Sequence, residues 1–189
     1  KYGLPKNRKI IISIANLVPV KGIHILIDAF ELLCKKDNSY FLLVVGEKDT
    51  EYGKELQAKV ALSDFKDSFK FVGKVMDVRP FLNVASLFVL PTLNENRKEG
   101  CPVSLLEAMA SGLNVIASKI SGNEDILSDF PENMFEAGNI NSLYHAIKEQ
   151  FNNLDLEKGK IFQRYIEKKY SLFNEVQMHQ MVYKSCLKI

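Results

Sequence analysis

The chain has 189 residues, of which 47% are hydrophobic and 25% are charged, and its formal net charge is +2. This length and composition predict one large globular domain or two small ones, and they exclude a disordered or low-complexity chain. The small net charge excludes a bulk electrostatic attraction to nucleic acid.

Cysteine usage and the lengths of the apolar segments indicate a compartment. Cys34, Cys101 and Cys186 lie far apart and form no C-x-x-C pair, which favours free thiols in a reducing environment over disulfides or a zinc site. The apolar segments are as long as strands, and no signal peptide or membrane span is visible. We therefore expect a cytoplasmic domain. Its abrupt start, in which KYGLPKNRK leads directly into a buried strand, suggests a piece of a longer protein.

Short apolar segments alternate with amphipathic ones along most of the chain. The predicted strands are KIIISIA (9–15), YFLLVVG (40–46), FKFVG (69–73), SLFVLPT (86–92), NVIAS (114–118) and a short NMFEA (133–137). Helices are predicted between them, and from about residue 140 the pattern is helical only. The predicted helices cover 23–36, 51–62, 78–85, 102–112, 141–154, 157–170 and 173–187.

The strands are apolar on both faces, which is typical of a parallel sheet covered by helices on each side. Together with the strand–helix alternation, this predicts an α/β fold: a doubly wound, Rossmann-like parallel sheet of about six strands with a helical C-terminal segment. Ligands of such sheets bind beyond the carboxyl ends of the strands. The candidate loops are therefore 16–22, 46–50, 73–78 and 92–102.

Two familiar phosphate motifs are excluded. The turn after the first strand, ANLVPVKG, has one glycine where a dinucleotide-binding fold needs G-x-G-x-x-G. The segment GEKDTEYGKE (46–55) has too long a spacing between its glycines for a P-loop, and Glu55 follows the lysine where Ser or Thr is required.

Lys21 and Gly22 open the first predicted helix. A helix N-terminus carries unpaired N–H groups and partial positive charge, so an adjacent ammonium makes an anion site. The alternative is a solvated lysine beside a glycine that serves the turn, and this stretch taken alone favours that alternative.

The segment EGCPVSLLE (99–107) has the strongest pattern for ligand binding. Pro102 suits the first position of a helix, and the amides of Gly100, Cys101 and Val103 can face an anion at the helix end. Gly100 also lets the backbone approach a ligand closely.

Two carboxylates flank this helix start. The Glu107 side chain leans back toward the helix N-terminus, where its two oxygens can accept hydrogen bonds from a vicinal diol. Glu99 lies on the other side of the phosphates, so the pair predicts a sugar–phosphate ligand. The alternative makes Glu107 a capping or salt-bridge acid and Glu99 a solvated loop residue, and the residues alone do not decide between the two.

Other polar residues give weaker signals. His24, His145 and His179 lack metal-ligand spacing and are expected to be structural or solvated. Cys101 has no identifiable partner base and is interpreted as a small apolar wall. The run Asn123–Asp125 predicts a helix start.

Taken in order, IANLVPVKG, LLVVG, FVGKV, FVLPTLNE and EGCPVSLLEAMASGLNVIAS resemble the C-terminal half of retaining glycosyltransferases with the GT-B fold, family 4. The resemblance covers residues 9 to about 150. Its most specific part is the E-x7-E motif, Glu99 to Glu107, followed by EAMASG.

The resemblance implies a nucleotide-sugar donor (UDP-, GDP- or ADP-sugar), transfer with retention, and no metal or cofactor. Catalytic roles would fall to Lys21, which neutralises the departing diphosphate, and to Glu99, which contacts the donor sugar. The remaining donor-binding residues would be Glu107 on the ribose, Val75 and Asp77 near the base, Gly22 beside the lysine, and Gly100, Cys101, Pro102 and Val103 along the diphosphate.

One position departs from the family pattern. Asn16 stands where the family often has an arginine that pairs with the lysine on the diphosphate. One cation is therefore lost, and Asn16 is retained as a donor-binding candidate that can hydrogen-bond in its place.

The resemblance also implies a partner half that the chain does not include. An N-terminal domain would supply most of the acceptor site, and residues from about 160 to 189 would pack toward it. We expect this chain to bind donor nucleotide with little or no transferase activity by itself. Peripheral membrane association of the full-length enzyme is left open.

Three alternatives stay open at this point. A GT-B sugar-nucleotide epimerase shares the motif, whereas a phosphorylase would need a cofactor lysine to which nothing here points. A non-catalytic nucleotide-binding or scaffold module is favoured by Asn16. A nicotinamide-dependent dehydrogenase shares the architecture but lacks the glycine fingerprint.

Overall fold

A computed structural model describes residues 3–94, 100–153 and 156–187. Within these ranges the chain forms six strands and eight α-helices. The strands are β1 (Lys9–Ile14), β2 (Tyr40–Val45), β3 (Phe69–Gly73), β4 (Leu87–Leu90), β5 (Val115–Ser118) and β6 (Met134–Phe135). The helices are α1 (Ile23–Cys34), α2 (Glu51–Ala61), α3 (Arg79–Leu82), α4 (Val103–Ala110), α5 (Ser121–Ile126), α6 (Ile140–Asn152), α7 (Leu156–Lys169) and α8 (Leu172–Leu187).

All six strands are parallel, and their order in the sheet is β3-β2-β1-β4-β5-β6. β1 pairs with β2 along its whole length and with β4 through Ile11↔Leu87 and Ile12↔Phe88. β2 and β3 lie on one side of β1, and β4, β5 and β6 lie on the other. The strand order therefore reverses between the neighbours β1 and β4, which is where an open α/β sheet leaves a crevice for ligands. The predicted doubly wound Rossmann-like fold is confirmed.

Apolar side chains cover both faces of the sheet. On one face α1, α2 and α6 pack against alternate residues of β1, β2 and β4, such as Ile11, Leu42 and Val89. On the other face α3, α4, α5 and α7 pack against the intervening residues, such as Ile12 and Leu43. This two-sided burial explains why the strands read as continuous apolar runs.

The helix ends differ from the sequence prediction at two places. Pro102 has an extended ψ of 95° and is the N-cap of α4, so the helix begins at Val103 and the proline is not its first helical residue. α5 begins at Ser121, two residues before the predicted start at Asn123. By contrast Gly112, with φ of 73°, ends α4 as predicted.

α8 differs from the other long helices because none of its described side chains is buried. Its exposed apolar residues are Leu172, Phe173, Val176, Met178, Met181, Val182, Tyr183 and Leu187. Among the described residues no helix combines the length and apolar character needed to cross a membrane.

Candidate functional site

A cavity of about 370 Å³ opens at the carboxyl edge of the sheet. It lies over the reversal point between β1 and β4, where the sheet topology places a ligand crevice. The loops that follow β1, β2 and β3 and the N-terminal end of α4 all contribute to its wall. The described residues that line it are Ile14, Ala15, Asn16, Lys21, Val45, Gly46, Glu47, Lys74, Val75, Val78, Leu90, Cys101, Pro102, Val103 and Ser104.

Asn16 and Lys21 reach the cavity from the loop after β1. Lys21 ends a short 3-10 helix, Pro19–Lys21, and its side chain is half-buried. This turn packs against the residues that follow β4, where the amide of Leu93 donates a hydrogen bond to the carbonyl oxygen of Val20 at 2.7 Å. The structure thus brings Asn16 and Lys21 to one cavity.

Gly22 has a structural reason to be glycine. Its φ of 65° lies in the left-handed region, and a Cβ at this position would overlap the carbonyl oxygen of Pro91. Gly22 is the N-cap of α1 and is not among the described residues that line the cavity. Its predicted contact with the donor stays a prediction, whereas its role in seating the Lys21 turn follows from the geometry.

The N-terminal end of α4 faces the cavity, and in the part of the chain that the structure describes it has no side-chain cap. The carbonyl of Pro102 accepts hydrogen bonds from the amides of Leu105 at 3.0 Å and Leu106 at 3.3 Å, so the helical bonds begin there. The preceding amides of Val103 and Ser104 carry the positive end of the helix dipole. Backbone donors at an uncapped helix start suit an anion such as a phosphate.

Gly100 and Cys101 precede this helix end. Among the described residues, no atom lies within 4 Å of a Cβ built at Gly100. Partial burial and the nearby carboxylate of Glu175 raise the pKa of the Cys101 thiol. A raised pKa disfavours the thiolate, which agrees with the interpretation of Cys101 as a wall rather than a nucleophile.

Glu107 lies one turn into α4, on the same exposed face as Val103. It does not belong to the described residues lining the cavity, but helical side chains lean toward the N-terminus, where Val103 and Ser104 do line it. Partial burial raises the pKa of its carboxyl group, and no charged group of the described chain offsets this. The charged form of the carboxyl group is thus disfavoured on the face of α4 that carries Val103.

The loop after β3 contributes apolar walls. Val75 and Val78 line the cavity, while Met76 between them is 98% exposed. Asp77 is not among the described residues that line the cavity, and its predicted place near the base stays a prediction. Arg79 donates to Asp77 Oδ1 from Nε at 2.8 Å and to Oδ2 from Nη2 at 3.0 Å, which lowers the pKa of the Asp77 carboxyl.

Two charged residues of the cavity were not singled out from the sequence. Glu47 follows β2 and Lys74 follows β3, and both line the cavity. The sequence did place both in candidate loops, but it gave no signal for which loop side chains turn inward. Ser104, which belongs to the predicted helix 102–112, also lines the cavity and was not singled out either.

Glu99 lies outside the described residues, so its predicted contact with the donor sugar is not examined by the structure. His24 is structural, as expected, because its Nδ1 lies 2.6 Å from the hydroxyl of Tyr52 and ties α1 to α2. Within the described ranges no group of three or more His, Cys, Asp or Glu residues is arranged to hold a metal ion.

Solved structures of glycosyltransferases share the whole described fold. A glycosyltransferase from Rickettsia africae superposes with a TM-score of 0.87 at 20% identity, covering 97% of this chain and 49% of that chain. Anabaena HepE, solved in complex with UDP, superposes with a TM-score of 0.81 at 20% identity, covering 97% of this chain and 50% of that chain. These likenesses establish the GT-B type of fold.

Sequence comparison adds the family. An uncharacterized glycosyltransferase from Haemophilus influenzae is 31% identical over 161 residues, which are 81% of this chain and 44% of the relative. AmsK, the amylovoran biosynthesis glycosyltransferase of Erwinia amylovora, is 33% identical over 62% of this chain and 29% of its own length. The chain thus spans less than half the length of these relatives. Since the profile of the family described as glycosyl transferases group 1 matches residues 1–169, the chain belongs to that family.

Proposed function

We propose that the chain is the donor-binding domain of a retaining, family 4 glycosyltransferase, and that a nucleoside-diphosphate sugar occupies the cavity between β1 and β4. One observation carries this proposal: Lys21 and the uncapped N-terminal end of α4 line the same cavity at the reversal point of the sheet. An ammonium and helix amides at one place suit a diphosphate.

The phosphates would lie between Lys21 and the amides of Val103 and Ser104. Transfer requires the bond between the sugar and the diphosphate to break, and negative charge then develops on the diphosphate. Lys21 and the helix end stabilise that charge with fixed dipoles and a cation, so a metal ion is not required.

Lys74 offers a second cation in the same cavity. The family often has an arginine at the position of Asn16, and Asn16 lines the cavity without a charge. We assign Lys74 the missing positive charge, delivered from the end of β3 instead of β1. Glu47, which carries the opposite charge, lines the same cavity.

The nucleoside would extend from the phosphates toward the loop after β3. Val75 and Val78 provide apolar walls for a base, and Glu107 would accept hydrogen bonds from the ribose hydroxyls. Glu99 is assigned to the donor sugar through the family motif. The solved complexes of HepE with UDP and with UDP-glucose support this class of donor.

The acceptor would be bound mainly by a second half of the protein. The exposed apolar residues of α8 support a partner for this helix, since large apolar patches on soluble proteins mark interaction surfaces. The relatives are more than twice as long as the matched region, and AmsK serves amylovoran biosynthesis by its name. We propose that the full-length protein builds a polysaccharide or other glycan.

A non-catalytic nucleotide-binding module is the second candidate. It is favoured by Asn16 alone, since the loss of a cation weakens neutralisation of a leaving diphosphate.

Calorimetric titration with UDP, GDP and ADP tests the proposal. We expect one of them to bind the wild-type chain and Glu107→Gln to lose most of that affinity while remaining folded. Equal affinities of the two proteins, or no binding at millimolar concentration, would contradict the assigned donor site.

A further inference from the structure

A buried polar cluster lies at the carboxyl end of β5, outside the cavity. Ser118 and Asn123 are 0% exposed and Thr92 is 2% exposed. The hydroxyl of Ser118 donates to the carbonyl oxygen of Thr92 at 2.5 Å, and Nδ2 of Asn123 donates to the carbonyl oxygen of Ser118 at 2.8 Å. Nδ2 of Asn123 also lies 3.3 Å from the Ser118 hydroxyl.

Some polar atoms of this buried cluster lack hydrogen bonds within the described ranges. Oδ1 of Asn123 and Oγ1 of Thr92 have no hydrogen-bond partner among the described residues. Burying unpaired polar atoms is unfavourable, and apolar side chains of similar volume would fill the space more stably. Polar side chains at this buried position therefore indicate that their hydrogen bonds are needed to fix the backbone to which they bind.

The backbone that the cluster holds is the one on which the Lys21 turn rests. Thr92 lies between Pro91 and Leu93. The carbonyl of Pro91 packs against Gly22, and the amide of Leu93 donates to Val20 at 2.7 Å. Contacts therefore run continuously from α5 through Ser118 and Thr92 to the residues on each side of Lys21.

We propose that Ser118 and Asn123 are positioning residues for Lys21. They fix the backbone of residues 91–93, which follow β4. These residues in turn fix the position and orientation of the Lys21 turn beside the cavity. The inference rests on the proposed function, because Lys21 is taken to bind the diphosphate. An ammonium gains most from a phosphate when its backbone is already in place.

Asn133 provides a matched control. It is also 0% exposed, its Nδ2 donates to the carbonyl oxygen of Val115 at 2.5 Å, and its Oδ1 has no partner in the described chain. Both asparagines thus hold β5 by the same chemistry. Val115 begins the strand and Ser118 ends it, so only Asn123 acts at the edge that carries the site.

The test compares Asn123→Ala, Ser118→Ala and Asn133→Ala in two measurements. The first is the set of backbone amide chemical shifts of the free chain. We expect the amides of Lys21 and Gly22 to move in Asn123→Ala and Ser118→Ala and to stay unchanged in Asn133→Ala. If Asn123→Ala does not fold, Ser118→Cys keeps the shape while weakening the hydrogen bond.

The second measurement is the affinity for whichever of UDP, GDP and ADP binds, divided by the affinity for its parent nucleoside. This ratio isolates the contribution of the phosphates. We expect it to fall about tenfold in Asn123→Ala and Ser118→Ala and to remain at the wild-type value in Asn133→Ala. A purely structural role would lower the melting temperature of all three variants without changing the ratio.

The outcomes separate the two proposals. If wild-type binds a nucleoside diphosphate but the ratio and the Lys21 amide do not respond to Asn123→Ala or Ser118→Ala, the positioning role is overturned and the donor site stands. If no nucleotide binds, or if Lys21→Ala leaves the ratio unchanged, the assignment of Lys21 to the diphosphate is wrong. The positioning role of Ser118 and Asn123 is then wrong as well.

Discussion

Arg79 holds the carboxylate of Asp77 in two parallel hydrogen bonds, from Nε at 2.8 Å and from Nη2 at 3.0 Å. Asp77 also accepts the backbone amide of Arg79 at 3.0 Å, so both of its oxygens are engaged at the start of α3. The carboxylate is thus occupied at the edge of the loop that would meet the base.

Replacement of Asp77 by Asn should therefore leave donor binding nearly unchanged. We expect a change of less than about twofold in the affinity for the bound nucleoside diphosphate, because exposed ion pairs contribute little. Titration of the variant checks this. A loss of tenfold or more would mean that Asp77 leaves Arg79 when the nucleotide binds.

Glu107 should show opposite effects on stability and on binding. Its carboxyl pKa is raised by burial, so the charged form is disfavoured in the folded chain. Glu107→Gln removes that charge and is expected to leave the melting temperature unchanged or slightly higher. The same variant should bind nucleoside diphosphate about tenfold to a hundredfold more weakly, since it loses hydrogen bonds to a charged acceptor. A parallel loss of stability would instead indicate a structural acid.

Binding should also weaken on acidification. The ionised form of Glu107 accepts the ribose hydroxyls, and its raised pKa moves protonation to a higher pH than for an ordinary glutamate. Affinity is thus fully present well above this pKa and is lost as the pH falls through it. Titrations across pH 4 to 7 test the direction, with Glu107→Gln as the control in which this component is absent.

Lys74 is expected to contribute to phosphate binding. Lys74→Ala should lower the affinity for nucleoside diphosphate by about fivefold to tenfold, because a charge-assisted hydrogen bond is lost. The affinity for the parent nucleoside should not change. Lys48→Ala is a suitable control, since Lys48 belongs to the neighbouring loop but is not one of the described residues lining the cavity. Equal effects of both variants on the diphosphate would show only a general loss of positive charge.

Gly22 and Gly100 should respond differently to alanine. Gly22→Ala forces a side chain into the left-handed region and onto the carbonyl of Pro91, and we expect a loss of about 2 kcal/mol or more in the free energy of unfolding. The described residues place no atom within 4 Å of a Cβ at Gly100, so Gly100→Ala should leave stability unchanged. Chemical denaturation of both variants measures the difference. Comparable stabilities would contradict the described packing of the Lys21 turn.

The architecture could be predicted from the sequence because a strand that is buried on both faces appears as a continuous apolar run. All six strands were found within a few residues, and the loops after β1, β2 and β3 proved to line one cavity. Resemblance to GT-B glycosyltransferases supplied the class of protein, and the family is confirmed by the comparisons. Its finer assignments, family 4 and retention, remain proposals.

Side-chain directions were less predictable, because they depend on contacts between distant segments. Asp77 was placed near the base, but its hydrogen bonds with Arg79 depend on the backbone of the turn before α3 and could not be predicted. Asn123 resembled a helix cap, yet its amide donates backward to Ser118 and is buried. Lys74 and Glu47 gave no local signal, since only the assembled sheet edge brings their loops together.

The most direct measurement of the central claim is to map nucleotide binding on the amide resonances of the chain. We predict that the nucleoside diphosphate that binds will shift the amides of five residues together, all of which line the cavity: Lys21, Lys74, Val75, Val103 and Ser104. Shifts concentrated instead at the separate cavity beside Lys119 and Glu136, with these five amides unmoved, would contradict it.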